Sequence, residues 1–173
     1  MKKQPIFVAV DSNNYKRASE IINATKNYIY GAKFGLEFFC SKGGREAVKK
    51  FKNKNVKIFL DLKLKDIPNT VYKSIKSLRD VSPDYLTIHA TGGLEMMKAA
   101  KKAQSETNKK MKILAVTILT SLTNKDLKQM GSNTPIQTQV QKLAQTAKLA
   151  KFMVLSVPLM KSKGLKKFQK ILK

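Results

Sequence analysis

Short apolar runs alternate with longer amphipathic stretches along this chain. IFVAVD (6–11) is an apolar, β-branched run that ends in a carboxylate, which predicts a buried strand. NYKRASEIINATKNYI (14–29) carries Ala18, Ile21, Ile22 and Ile29 on one side and charges opposite, which predicts a helix. GAKFGLEF (31–38) predicts a second strand, residues 44–54 a helix, and VKIFLDLK (56–63) a third strand. The stretch 66–81 turns at Pro68 and continues as a helix with Asn69 or Thr70 near its start. YLTIHA (85–90), KILAVTIL (112–119) and KFMVLSV (151–157) predict three further strands. Helices are expected from about Leu94 to Ser105, over 123–131 and 136–151, and in the lysine-rich end.

The period is therefore βα, repeated six times without a linker or low-complexity break. Such a period means parallel strands, because each helix is a crossover. The strands are apolar nearly throughout, as strands covered on both faces should be. An open doubly wound sheet and a (β/α)8 barrel both fit. After VAVD the chain reads SNN, so no Gly-rich phosphate loop follows the first strand, which disfavours a dinucleotide-binding sheet. Asp11, Lys63, His89 and Thr120 fall at predicted strand C-termini, the face where barrels carry their chemistry.

Composition narrows the class. With 173 residues, 42% apolar and 27% charged, the chain is in the globular range and fits one domain. No apolar run reaches eighteen residues, and the N-terminal run is too short for a signal peptide and meets Asp11 at once. One cysteine, Cys40, allows no internal disulfide, and a buried apolar role is expected for it. A cytoplasmic protein without membrane association is the expectation. The net charge of +24 raises the question of nucleic acid. Only Arg17, Arg45 and Arg79 are arginines, and the lysines are spread along helices without aromatic interleaving. That predicts a solvated basic surface that suits an anionic substrate, with no specific nucleic-acid partner.

The candidate chemistry lies in FLDLKLKDIPNT (59–70). Asp61 and Lys63 are two residues apart on a strand and so share a face. Asp66 lies just past the strand, where the chain can fold back toward Lys63, and Lys33 on the second strand can reach the same region. An isolated D-x-K would be a structural ion pair. Two lysines and two carboxylates at neighbouring strand ends suit a reaction that builds negative charge on carbon and ends in proton transfer. His89 is expected to be a hydrogen-bonded residue near the site. Gly43-Gly44 and Gly92-Gly93 are expected to serve loop geometry at helix starts.

DLKLKDIPNT closely resembles the signature of the orotidine 5′-phosphate decarboxylase family, the last enzyme of UMP synthesis. VAVD at Asp11, GAKFG at Lys33, IHATGG from Ile88 and VTILTSL around Thr120 follow in the family's order, from about residue 5 to 152. The resemblance implies a (β/α)8 barrel working as a homodimer on orotidine 5′-phosphate, without metal or organic cofactor. It implies that Lys63 protonates C6 of the pyrimidine, and that Asp61 sits beside the substrate carboxylate and holds Lys63. Lys33 would join that network and touch the ribose, and Asp11 would bind ribose hydroxyls. Asp66 and Thr70 would reach into the partner's site, and Thr120 would contact the pyrimidine end. The whole stretch Asp61, Leu62, Lys63, Leu64, Lys65, Asp66, Ile67, Pro68, Asn69 and Thr70 is implied to bind substrate.

The resemblance fades after Phe152. The chain supplies about six βα units of the eight, and the family's P-G-I-R and G-R phosphate-binding segments have no counterpart. Residues 1–152 are therefore expected to form a partial barrel and 153–173 an atypical tail. For permitted codons, one G inserted after the Phe152 codon converts MVLSVPLMKS to DGVVCSSHEI, which is the family's pattern. A one-base frame shift, poor folding and impaired activity are the corresponding expectations. The rival readings are a sugar-phosphate decarboxylase or lyase of the same superfamily, and a non-catalytic polyanion-binding protein.

Overall fold

The computed structural model describes residues 4–52 and 56–155. Among these residues, six strands form one sheet: β1 (Gln4–Val10), β2 (Ile29–Gly35), β3 (Lys57–Leu64), β4 (Tyr85–His89), β5 (Lys112–Val116) and β6 (Met153–Leu155). All are parallel, and their spatial order is β1-β2-β3-β4-β5-β6. A doubly wound sheet reverses direction in mid-sheet and leaves its first strand internal. The unbroken order excludes that and gives six consecutive units of a (β/α)8 barrel. Among the described residues, β1 pairs only with β2 and β6 only with β5.

Among the described residues, seven α-helices lie between the strands: α1 (Tyr15–Thr25), α2 (Leu36–Cys40), α3 (Gly44–Lys52), α4 (Pro68–Ser77), α5 (Gly93–Thr107), α6 (Asn124–Gln129) and α7 (Ile136–Leu149). α1 stops at Thr25, so Ile29 belongs to β2 and not to the helical face expected for it. Ala18 and Ile22 carry its buried contact. The second strand ends at Gly35, and Leu36–Cys40 coil into a short helix. This leaves Cys40 exposed at the helix end, which corrects the expectation of burial. α4 starts with Pro68 in its first turn, where a missing N–H costs nothing, and Ile67 caps it without a side-chain bond. Asn69 and Thr70 therefore do not cap it. Gly43 and Gly93 hold φ of 76° and 87°, so both glycine pairs do serve the turns into α3 and α5. The expected helix at the lysine-rich end lies outside the described residues.

The two faces of the sheet carry different layers, as the two-residue strand period requires. Ile58, Leu60, Leu62, Leu86, Ile88, Ile113 and Ala115 pack beneath the helices in the main apolar core. On the other face, near the strand starts, Phe7 meets Phe59 and Tyr85 edge-on at centroid distances of 5.4 and 5.2 Å. Gly31 makes room for this layer. A Cβ there would lie 2.5 Å from the Phe7 ring and 2.4 Å from the Lys57 carbonyl oxygen. Aromatic packing thus plugs one end of the inner face and leaves the C-terminal end for charged groups. Beneath the plug, Asp84 ties the strand starts. Its carboxylate accepts from Lys52 Nζ at 2.6 Å, Lys57 Nζ at 2.9 Å and the Ile58 N–H at 2.9 Å.

Candidate active site

β3 carries the central carboxylate. Asp61 points to the inner face, and its side chain retains 12% exposure. Its Oδ2 lies 2.8 Å from Lys63 Nζ and 3.4 Å from Lys33 Nζ, while Oδ1 accepts from the Thr87 hydroxyl at 2.9 Å. One carboxylate thus receives two ammonium groups, from β2 and β3, and one hydroxyl from β4. Burial pushes the Asp61 carboxyl up. The hydrogen bonds from Lys63 and Thr87 and the charges of Lys63 and Lys33 outweigh it and hold the group below the usual carboxylate range. The site therefore holds an ionised carboxylate.

A bulge brings Lys63 to this position. Leu60 pairs with Leu86 and Leu64 with Ile88, so four residues of advance on β3 match two on β4. Lys63 absorbs the excess with φ of 49°, a left-handed conformation costly for a side-chain-bearing residue. Its N–H donates to Thr87 Oγ1 at 2.9 Å. Thr87 therefore holds both ends of the pair: the Lys63 backbone by accepting and the Asp61 carboxylate by donating. Period-two geometry did place Asp61 and Lys63 together, but the contact is completed by an irregular strand. Thr87 was not among the residues expected at the site. Its signal was a hydroxyl in the otherwise apolar run YLTIHA.

The remaining expected residues lie at the rim. Asp11 is exposed one residue beyond β1. Lys65, Asp66, Ile67, Pro68, Asn69 and Thr70 are all exposed, and Leu62 is buried under the helices. Leu64 is partly buried against the same core. Asp66 does not join the Lys63 pair within the single chain; its Oδ1 accepts from the Ile67 N–H at 2.7 Å. Thr120 is not at a strand end, because β5 stops at Val116. Ile118 then turns out to pack with Leu127, Val140 and Ala144, and Thr120 lies exposed in the following turn. His89 ends β4 as expected, but its Nδ1 is buried without a hydrogen-bond partner among the described residues, as is Thr117 Oγ1. Both line a cavity of about 320 Å³ with Lys65, Leu119, Leu122 and Met130 beside the charged centre. Burial and the charges of Lys65 and Lys63 lower the His89 pKa, partly opposed by Asp61, which favours neutral imidazole.

An arc of parallel βα units with a part-buried carboxylate shared by two ammonium groups at the strand ends defines the class: a β/α-barrel protein with a charged Asp–Lys centre. Comparison with known proteins names the family. The family model described as "Orotidine 5'-phosphate decarboxylase / HUMPS family" matches residues 4–172. The orotidine 5'-phosphate decarboxylase of Sphingopyxis alaskensis is 40% identical over 146 residues, covering 84% of this chain and 63% of the relative. That of Malacoplasma penetrans is 36% identical over 151 residues, covering 87% and 65%. The crystal structure of orotidine 5'-phosphate decarboxylase from Lactobacillus acidophilus superposes with a TM-score of 0.76 at 34% identity, over 86% of this chain and 68% of that one. The Methanocaldococcus jannaschii orotidine 5'-monophosphate decarboxylase, complexed with inhibitor BMP, gives 0.79 at 25% identity, over 99% and 75%. The chain belongs to the orotidine 5'-phosphate decarboxylase / HUMPS family, and it spans less than two thirds of the length of those two curated relatives.

Proposed function

We propose that this chain carries the catalytic half-site of an orotidine 5′-phosphate decarboxylase acting in pyrimidine biosynthesis. The observation that carries the reading is the Asp61 carboxylate receiving Lys63 and Lys33 at once. In the proposed reaction the bond from C6 to the carboxylate breaks, carbon dioxide leaves, and the electron pair stays on C6. Lys63 Nζ gives its proton to C6, which yields UMP. Before that step the ammonium stabilises the charge building on carbon. Asp61 fixes Lys63 and faces the leaving carboxylate. Lys33 and Asp11 hold the ribose, and Thr120 meets the pyrimidine end.

The exposed run Asp66–Thr70 fits a role between subunits, with Asp66 and Thr70 completing the site of a second copy. Ile67, an apolar side chain 68% exposed beside them, supports that homodimer reading. The D-x-K-x-x-D spacing is common to sugar-phosphate enzymes of the superfamily, whereas the IPNT extension and the named relatives favour the nucleotide substrate. Residues 1–152 are read as the decarboxylase barrel and 153–173 as a tail out of frame. In this fold, phosphate groups are commonly held after strands seven and eight. The 173-residue stretch acting alone is therefore expected to bind and turn over substrate poorly.

The test is loss of orotidine 5′-phosphate absorbance, run on this chain and on a form extended through the full barrel. Turnover by the extended form, abolished by Lys63→Ala, supports the reading. Turnover of a sugar phosphate instead, dependent on added metal, overturns it.

A further inference from the structure

We infer that the outer groove between α5 and α7 is a docking surface for the phosphodiester backbone of single-stranded RNA. The groove, about 450 Å³, is lined by Lys98, Lys101, Lys102 and Lys151, together with Ser105 and the exposed Leu149, and among the described residues no carboxylate lines it. Its acidic neighbours are engaged at the two ends. Glu95 pairs with Lys98 at 2.8 Å, and Glu106 pairs with Lys76 at 3.1 Å. Lys101 Nζ lies 5.7 Å from the centroid of the Phe152 ring, and Lys102 Nζ lies 5.8 Å from that of Tyr72. Both ammonium groups thus face aromatic rings, which holds them in place along the groove.

Lys98, Lys101 and Lys102 follow the i, i+3, i+4 spacing, so they form one basic stripe spanning about 6 Å of helix axis. Lys151, at the turn into β6, extends the stripe onto the neighbouring unit. A line of point charges fits a flexible chain of phosphates. Lysine ammoniums lack the planar fork that reads base edges, and no aromatic face is open in the groove for stacking, so the recognition is sequence-independent. The groove runs toward the N-terminal ends of the strands, whereas the Asp61 centre lies at their C-terminal ends. RNA bound there leaves the centre open.

The test is fluorescence anisotropy of a labelled 20-nucleotide single-stranded RNA against the whole chain, as a function of salt. Each phosphate contact contributes about −0.7 to the slope of log K against log salt. Lys101→Ala/Lys102→Ala should flatten the slope by about 1.4 and weaken binding roughly tenfold at low salt. The control Lys16→Ala/Lys125→Ala removes the same charge from exposed positions on α1 and α6 and should change binding less than twofold. Because Lys101 packs on Phe152, Lys98→Ala/Lys151→Ala serves as an independent pair and should reproduce the loss with an unchanged circular dichroism spectrum. Equal weakening by the groove and control pairs, or no RNA binding by the unmodified chain, would overturn the inference.

Discussion

Thr87 stands between the two halves of the charged pair: its oxygen accepts from the Lys63 N–H at 2.9 Å and its hydrogen goes to Asp61 at 2.9 Å. Thr87→Val removes both bonds while keeping the shape. It strands a partly buried N–H, at a cost of about 1–3 kcal/mol, and frees Asp61 from one restraint. The expected outcome is a lower melting temperature and a raised Asp61 pKa by carboxyl NMR, with both restored by Thr87→Ser. An unchanged Asp61 titration in the valine variant would remove Thr87 from the site.

The two glycines of GAKFG should respond oppositely to alanine. At Gly31 the added carbon meets the Phe7 ring and the Lys57 carbonyl, and overpacking of this kind costs about 1–3 kcal/mol. At Gly35 no atom lies within 4 Å of it. Chemical denaturation should therefore show Gly31→Ala destabilised and Gly35→Ala near neutral. Equal effects would mean the aromatic plug is not packed as described.

Two groups should contribute distinct steps to the loss of stability on the acid side. His89 has a lowered pKa, so as pH falls through about 6.5 the unfolded chain takes up a proton that the folded chain refuses. Stability then decreases with falling pH, and His89→Asn should flatten that part of the profile. Asp84 is pushed up by burial, but Lys52, the Ile58 N–H and Lys57 bring it below the ordinary value. Its contribution is complete above about pH 4 and is lost as pH falls through the lower folded value. Thermal melts between pH 3 and 8 should show Asp84→Asn destabilised at neutral pH and converging on the unmodified protein in acid. Parallel curves would contradict the assignment.

The tail is a question for the gene. The chain as written pairs Met153–Leu155 with β5, whereas the restored frame would place DGV at those positions, with its strand-forming VV one residue later. The family match also continues to residue 172. The expected result is that one restored base after the Phe152 codon opens a frame reading DGVVCSSHEI and continuing through P-G-I-R. A nucleotide sequence that no single-base change extends in this way rejects the proposal.

The βα alternation and the position of Asp61 beside Lys63 were readable from the chain, because buried parallel strands are apolar and a charge inside one stands out. Lys33 was readable as a second lysine on the adjacent strand. The barrel order was not, since local pattern is the same in doubly wound and singly wound sheets and only strand neighbours separate them. The bulge at Lys63 was hidden because a left-handed lysine carries no glycine signal. Thr120 was misplaced because VTIL continues the apolar, β-branched run of β5, and periodicity does not reveal that Ile118 leaves the sheet to pack under α6 and α7. Cys40 was misplaced because GLEF reads as strand until Leu36 begins a short helix.

The central claim is that Lys63 and Asp61 together replace carbon dioxide by a proton on a nucleotide ring. Its most direct test is release of labelled carbon dioxide from carboxyl-labelled orotidine 5′-phosphate by the barrel-extended form, run in heavy water. The account predicts one labelled carbon dioxide and one deuterium at C6 for each UMP, and a loss of at least about a thousandfold in both Lys63→Ala and Asp61→Ala. Carbon dioxide release at an undiminished rate by either variant would contradict it.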